Sequence, residues 1–229
     1  MKTRVVRWSG VALAVWAVAG CSSQPATEGR SVEEVLTAAK DNFDEAASVH
    51  LTLATSSTPS GGNGVLGADG TLTHQPAFKG MVRVLLGGFN AEVPVISVDG
   101  EVHAKLPLTT SYQVIDPAEY GAPDPADFAD PDSGISGLLV KLEDPSRGAA
   151  IRQGDQVLTT FTGTLLGTYV DPIIPSADAK GVYDTEIGIS EDDQITTLRV
   201  TGEFFSGGGD ETYDMTFDAY GEAVTVTAP

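Results

Sequence analysis

The hydrophobic pattern of this chain changes period at residue 49. Before it, apolar residues recur at Val32, Val35, Leu36, Ala39 and Phe43. That spacing keeps one face of a helix apolar through about residue 46. Ser31 and Glu34 form an S-x-x-E capping-box pattern at its start. In Val49-His50-Leu51-Thr52-Leu53-Ala54 the period becomes two, which places Val49, Leu51 and Leu53 on one face of a strand and turns His50 toward solvent. Strand-like runs follow at 66–73, 78–86, 91–98 and 101–106, punctuated by Asp69-Gly70, Gly87-Gly88 and Asp99-Gly100. Asp99-Gly100, between two β-rich runs, is the strongest hairpin signal in the chain. The first half therefore reads as a helix followed by an antiparallel meander.

The middle breaks the pattern. Residues 116–133 (DPAEYGAPDPADFADPDS) are rich in Pro and Asp and cannot form a central strand. A short helix is expected next, with Ser133 as its cap and Ile135, Leu138, Leu139 and Leu142 on one face. Strands resume at 156–163. Residues 164–174 (TLLGTYVDPII), interrupted by Gly167 and Pro172, predict a loose helix and an apolar loop. Four more strands are expected near 181–189, 195–204, 211–219 and 222–227, with turns at Glu191-Asp192-Asp193, Gly207-Gly208-Gly209 and Tyr220-Gly221. No repeat of fixed period is present. The reading is one α+β domain over 31–229, built on a large antiparallel sheet.

The first thirty residues differ in kind. Lys2, Arg4 and Arg7 precede the apolar run 11–18, too short to span a hydrocarbon core of ~30 Å as a helix. Small residues then lead to the only cysteine, in Val18-Ala19-Gly20-Cys21. This segment resembles a bacterial lipoprotein signal peptide. The resemblance implies that residues 1–20 are removed, that Cys21 carries at least two acyl chains, palmitate among them, and that residues 21–30 form a flexible tether. Two chains hold stably in a bilayer at ~0.8 kcal/mol per buried CH₂, whereas one does not. The expected location is the extracytoplasmic side of the cell membrane. The competing reading is an ordinary secretory signal with an incidental cysteine.

Charge narrows the partners. The chain has 13 Lys and Arg against 32 Asp and Glu, a formal charge of −19, and the leader holds three of the basic residues and no acid. Such a body excludes nucleic acid, whose phosphates need clustered cations. It equally disfavours electrostatic adhesion to anionic headgroups. With Cys21 acylated, no thiol remains for a disulfide, a metal or catalysis. His50, His74 and His103 show no metal-ligand spacing, and no G-x-S-x-G elbow occurs. Asp124, Asp127, Asp130 and Asp132 cluster, and Asp130-x-Asp132-x-Gly134 has the opening of a calcium loop, but Lys141 stands where position 12 needs Glu. Turn and cap chemistry is the better reading of these aspartates. No catalytic residue, metal or cofactor is expected, and the protein is not read as an enzyme.

The order of elements carries a resemblance. A lipobox, tether, amphipathic helix, meander, Asp/Pro-rich break, short Leu-rich helix and closing strands resemble the mycobacterial LppX/LprA/LprF/LprG lipoprotein family. The local matches are Ser48-Val49-His50-Leu51-Thr52-Leu53, Val98-Asp99-Gly100, Asp130-Pro131-Asp132-Ser133-Gly134-Ile135-Ser136-Gly137-Leu138-Leu139 and Tyr220-Gly221-Glu222-Ala223-Val224-Thr225-Val226. The resemblance implies a sheet curled into a half-barrel, helices covering its concave face, and an apolar cavity for acyl chains between them. That fold is similar to the LolA/LolB-like carriers that move lipoproteins across the Gram-negative periplasm.

On that basis Val49, Leu51, Leu53, Val82, Val84, Leu86 and Ile96 are the strand candidates for the cavity. Ile135, Leu138, Leu139, Leu142, Leu165, Leu166, Ile173 and Ile174 form the candidate opposing wall, with 164–174 as a movable rim. For each residue the competing reading is a dry, filled core. The Gly/Ser-rich stretch 56–64 and the acid of 116–133 depart from the family pattern at the cavity mouth. The expected function is a membrane-anchored carrier that takes acyl chains of envelope lipids or glycolipids toward the outer envelope, with a membrane transporter as a further candidate partner. The alternative is a non-enzymatic structural lipoprotein with a filled core that binds a protein partner.

Overall fold

The computed structural model describes residues 29–55, 63–205 and 209–229. Cys21, the leader, most of the tether, most of the 56–64 extension and Gly207-Gly208 lie outside them. Helix α1 (Val32–Glu45) starts on the reciprocal capping box: the Ser31 hydroxyl accepts from the Glu34 amide at 3.1 Å, and the Glu34 carboxylate accepts from the Ser31 amide at 2.7 Å. Its buried face is Val35, Leu36, Ala39 and Phe43.

Eleven strands form one sheet: β1 (Ser48–Thr55), β2 (Asn63–Thr73), β3 (Ala77–Leu86), β4 (Phe89–Val98), β5 (Glu101–Ala104), β6 (Gln113–Ile115), β7 (Glu143–Gln153), β8 (Gln156–Leu166), β9 (Val182–Ile189), β10 (Ile195–Gly202) and β11 (Glu211–Asp218). Their order is β6-β5-β4-β3-β2-β1-β11-β10-β9-β8-β7, and every pairing is antiparallel. Two meanders, β1–β6 and β7–β11, thus meet where β1 pairs with β11, and the sheet stays open at β6 and β7. Between the meanders lie two 3₁₀ turns, Pro117–Tyr120 and Pro125–Ala129, and helix α2 (Ile135–Leu139). Helix α3 (Gly167–Val170) follows β8. Among the described residues no helix is long and apolar enough to cross a membrane.

The structure departs from the sequence expectations in five places, the first being the short strand β6, where none was expected. Strand β7 (EDPSRGAAIRQ) is exposed along almost its whole length, so its sequence carries no alternation to read. It is an edge strand with Pro145 and two register shifts, features that blunt an open edge. Residues 164–166 continue β8 rather than starting a helix, and only 167–170 are helical. No strand forms at 222–227: Ala219 and Gly221 take positive φ (50° and 75°), and the Gly221 amide donates to the Ser48 carbonyl, which turns the chain out of the ladder. Finally, the residue capping α2 is Gly134, not Ser133. The Ser133 hydroxyl instead donates to Asp130 Oδ1 at 2.9 Å, as do the Asp132 and Ser133 amides, and these bonds hold the Asp130 carboxyl below its ordinary range.

That turn explains the glycine spacing before α2. A Cβ on Gly134 would sit 2.5 Å from the Asp130 carbonyl, and one on Gly137 2.4 Å from the Asp132 carbonyl. Backbone meets backbone there, which only glycine permits. Ser136, buried on α2, donates to Asp44 Oδ1 at 2.5 Å, and Asp44 also pairs with Lys40. These contacts fix α2 against α1.

One face of the sheet and the helices share a continuous apolar cluster. Register aligns its rows: Leu51 opposite Phe217, Leu53 opposite Met215, Leu198 opposite Ile187, Phe161 opposite Ile187 and Val82 opposite Val93. At Gly70 and Gly80, paired across β2 and β3, this face carries no side chain, and the Phe78 ring lies over both.

Candidate apolar cavity

A cavity of about 80 Å³ lies against the β1–β6 half of the sheet. Its floor is the inner-face row of Leu53, Ala68, Val82, Val84, Val93, Val95, Val102 and Ala104. These are short side chains, and their brevity leaves the space. Its cover is made of two short 3₁₀ turns and a loop rather than α-helix. The Pro-rich stretch 117–125, Phe128 and residues 173–176 close it from the other side. By size it would admit a few waters, at ~10–15 Å³ each, but the floor offers them no hydrogen-bond partner, so it is suited to apolar content.

The cover is held by the acid that distinguishes its sequence. Asp116 accepts from the Ala118 amide at 3.0 Å and Asp124 from the Ala126 amide at 2.9 Å, each starting a 3₁₀ turn with Pro in the next position. Asp124 also accepts from the buried Ser97 hydroxyl at 2.5 Å, which ties the cover to β4. Burial, with Asp124 and Asp130 nearby, pushes the Asp127 carboxyl above its usual range. Asp116 and Asp124 are thus engaged as caps. Among the described residues no group of three or more His, Cys, Asp and Glu side chains is placed to hold a metal.

The second part of the cover hangs from a glycine clamp. The Gly167 amide donates to the Gly181 carbonyl at 2.8 Å, and a Cβ on Gly167 would sit 1.9 Å from the Asp178 carbonyl. Between these points Ile173 and Ile174 turn inward, their amides donating to the Val170 carbonyl. The polar side chains among the lining residues are those of Tyr120, Ser176 and Tyr213. The Tyr213 hydroxyl donates to the Val65 carbonyl at 2.9 Å, and burial pushes its pKa up to about 12, so it is a neutral donor at any physiological pH.

Of the candidates named from sequence, Leu53, Val82, Val84, Leu86, Ile173 and Ile174 stand on this cavity. Val49, Leu51, Ile135, Leu138, Leu139, Leu142 and Leu165 are buried in the packed cluster, away from it. Leu166, at the end of β8, is half-buried outside both. Ile96 pairs with Lys79 and His103 and alternates with Val95 and Ser97, so it lies on the other face of the sheet. The lining that sequence reasoning missed divides in two. Val93, Val95, Val102 and Ala104 carried the same period-two signal as their neighbours. Pro117, Tyr120–Pro123 and Pro125 carried none, because a Pro-rich break reads as connection rather than wall.

Three comparisons bear on this geometry. The profile of the LppX_LprAFG lipoprotein family matches residues 31–226. The lipoarabinomannan carrier protein LprG of Mycobacterium tuberculosis is 26% identical over 242 residues, covering 99% of this chain and 95% of that protein. Crystal structures of LprF from Mycobacterium bovis and LppX from Mycobacterium tuberculosis share the fold, with TM-scores of 0.69 and 0.63 at 16% identity. Each covers 86% of this chain, and 96% and 98% of its own length. The order and spacing of motifs along the sequence, the eleven-stranded sheet and the match over 31–226 agree: this chain belongs to the LppX_LprAFG lipoprotein family.

Proposed function

We propose that this protein is a membrane-anchored carrier that holds acyl chains of an envelope lipid or glycolipid between the Val/Ala-lined half of its sheet and the Pro-rich cover. The observation that carries the proposal is the cavity itself, apolar throughout its floor and closed by Pro-led 3₁₀ turns and a loop rather than by α-helices. The naming of LprG as a lipoarabinomannan carrier supports the substrate class. In this reading the sheet curls around the chains and the cover swings at the Gly167 clamp and around the Asp124–Ser97 bond. A volume of about 80 Å³ is too small for an acyl chain, so in this reading loading requires the cover to move outward. Each acyl chain then withdraws apolar surface from water, which favours binding by ~25 cal/mol per Å² and is offset by the cost of ordering chain and cover. Cys21 would hold the body to the membrane, with residues 21–30 as tether and 31–229 as the binding domain.

The test is native mass spectrometry of the Cys21→Ala protein from an actinobacterial host, with organic extraction of what co-purifies. A stoichiometric acylated lipid is the expected result and names the cargo. A clean apo mass, with no uptake of added glycolipid, would overturn the carrier reading in favour of a lipoprotein that binds a protein partner.

A further inference from the structure

The two ends of the sheet differ in chemistry. At the end that holds the turns β2–β3, β4–β5, β7–β8 and β9–β10, the chain presents Asp99, Glu101, Asp155, Glu191, Asp192 and Asp193. The other end holds the β3–β4 hairpin and the β5–β6 loop and, across the sheet, the β8–β9 and β10–β11 connections, where Asp171, Asp178, Glu203 and Asp210 stand; its uncharged part is the β3–β6 side. Residues 84–91 (VLLGGFNA) and 104–115 (AKLPLTTSYQVI) bear one charge between them, the basic Lys105, in a chain of formal charge −19. Two large apolar side chains stand out from these segments: Phe89 is 79% exposed and Leu108 wholly exposed.

Neither exposure is incidental to the backbone. Gly87 and Gly88, both at positive φ (55° and 86°), make the tight turn that presents Phe89 directly opposite Leu86. Leu108 adopts φ of 69°, a left-handed conformation that disfavours a bulky residue. The Thr109 amide and hydroxyl both donate to the Leu106 carbonyl, at 3.1 and 2.7 Å, and lock that turn. Leu86 and Leu106 line the cavity, so each protruding side chain is a near neighbour of a lining residue.

We infer that Phe89 and Leu108 form a docking rim that inserts into the surface of a lipid layer, placing the cavity against it. The inference rests on the carrier reading. Three observations select lipid over a protein groove: continuity with an apolar cavity, the near-absence of charge that insertion would have to dehydrate, and protrusion at two separate points rather than as one flat patch. The single charge, Lys105, is of the sign that suits headgroup phosphate. The chain enters the fold at the opposite, acidic end, where Arg30 pairs with Asp193 at 2.7 Å. A membrane anchor upstream of Arg30 therefore leaves the rim at the far end of the strands.

The single cysteine makes the test direct. In the full-length Cys21→Ala chain, a cysteine introduced at Thr110→Cys or, separately, Asp192→Cys carries an environment-sensitive nitrobenzoxadiazole label. Phosphatidylcholine vesicles should brighten the label at 110 and leave that at 192 unchanged. Adding Phe89→Ser or Leu108→Ser should each lower vesicle affinity about tenfold or more, the loss expected from one large apolar side chain left in water. An equal response at both label positions, a response that survives both serine changes, or none at all overturns the rim. Uptake of a fluorescent fatty acid in vesicle-free solution is measured in parallel. It should be the same in parent and serine variants, and its absence from the parent would sink the carrier reading on which the rim depends.

Discussion

The two halves of the sheet have the same strand geometry and opposite interiors. On the inner face of β8–β11 stand Phe161, Leu165, Tyr183, Ile187, Leu198, Tyr213, Met215 and Phe217, all nearly inaccessible. Helices α1 and α2 add Val35, Leu36, Phe43, Ile135, Leu138 and Leu139 from the other side. On the inner face of β2–β5 stand Ala68, Val82, Val84, Val93, Val95, Val102 and Ala104, and beyond them the Phe78 ring lies over Gly70 and Gly80. The cover there is two short Pro-led 3₁₀ turns and a loop, too short to lay an α-helical stripe of large side chains over the sheet. A packed core and a cavity thus arise within one sheet from side-chain length and from the kind of element laid over it. Tyr213, whose ring lies 4.7 Å from Phe204 and also borders the cavity, marks the boundary.

If the contrast is real, truncation should cost very different amounts on the two sides. Phe161→Ala removes a fully buried ring among large neighbours and should lower unfolding free energy by about 3–5 kcal/mol in urea titration. Val93→Ala, beside space already empty, should cost only about 1 kcal/mol. Comparable losses would mean that the cavity half is packed like the rest. Gly80→Ala comes next in size. Its Cβ would meet the Asp69 carbonyl at 2.3 Å and Gly70 Cα at 2.6 Å, so β2 and β3 must separate under the cavity floor, for about 1–3 kcal/mol. Added volume reverses the order. Val200→Leu in the packed half should cost about 1 kcal/mol or more, whereas Val93→Leu should be neutral or stabilising and should reduce lipid uptake.

How much of this was legible beforehand follows from which signals are local. The α1 capping box, the β1–β5 alternation and the Asp99-Gly100 hairpin are decided by neighbours in sequence, and the structure has them at the expected positions. Asp99 and Gly100 take φ of 56° and 77°, as that turn requires. Strand β7 escaped because an edge strand exposed on both faces has no apolar side to alternate. The terminal 222–227 run alternates as a strand does, yet leaves the sheet because of a turn made by Ala219 and Gly221. Residues such as Leu139 and Leu142 show why a lining is harder to read than an element: their apolar periodicity states that they are buried, and only the strand order decides whether they border a void or a packed wall. Ile96 is the sharpest case. Its neighbours Val95 and Val93 line the cavity, and a period of two sends Ile96 to the other face.

The smallest effect tests the seam between the halves, and its sign depends on two histidines that oppose each other. His50 on β1 reaches Asp218 on β11 at 2.8 Å and Asp69 on β2 at 3.3 Å. Burial lowers its pKa, but the hydrogen bonds and charges of the two aspartates outweigh it, so the net shift is upward. A raised pKa means that the folded state holds the proton more tightly than the unfolded chain. The stabilisation is complete below 6.5 and disappears as pH rises through the folded value. His74 behaves in the opposite sense. Burial edge-on to Phe43, at 5.3 Å, lowers its pKa despite the Ala46 backbone and Asp44, so protonation penalises the fold as pH falls below 6.5. Between pH 8 and 5.5 the two contributions therefore oppose each other. Relative to the parent, His50→Gln should lose stability toward acid, and His74→Phe, which keeps a ring against Phe43, should gain it. Each change should be well under 1 kcal/mol, because the His50 pairs are largely solvated. Chemical denaturation of the three proteins at both pH values measures it. Parallel profiles for parent and His50→Gln would show that the β1–β11 seam is held by its backbone ladder and apolar rows alone.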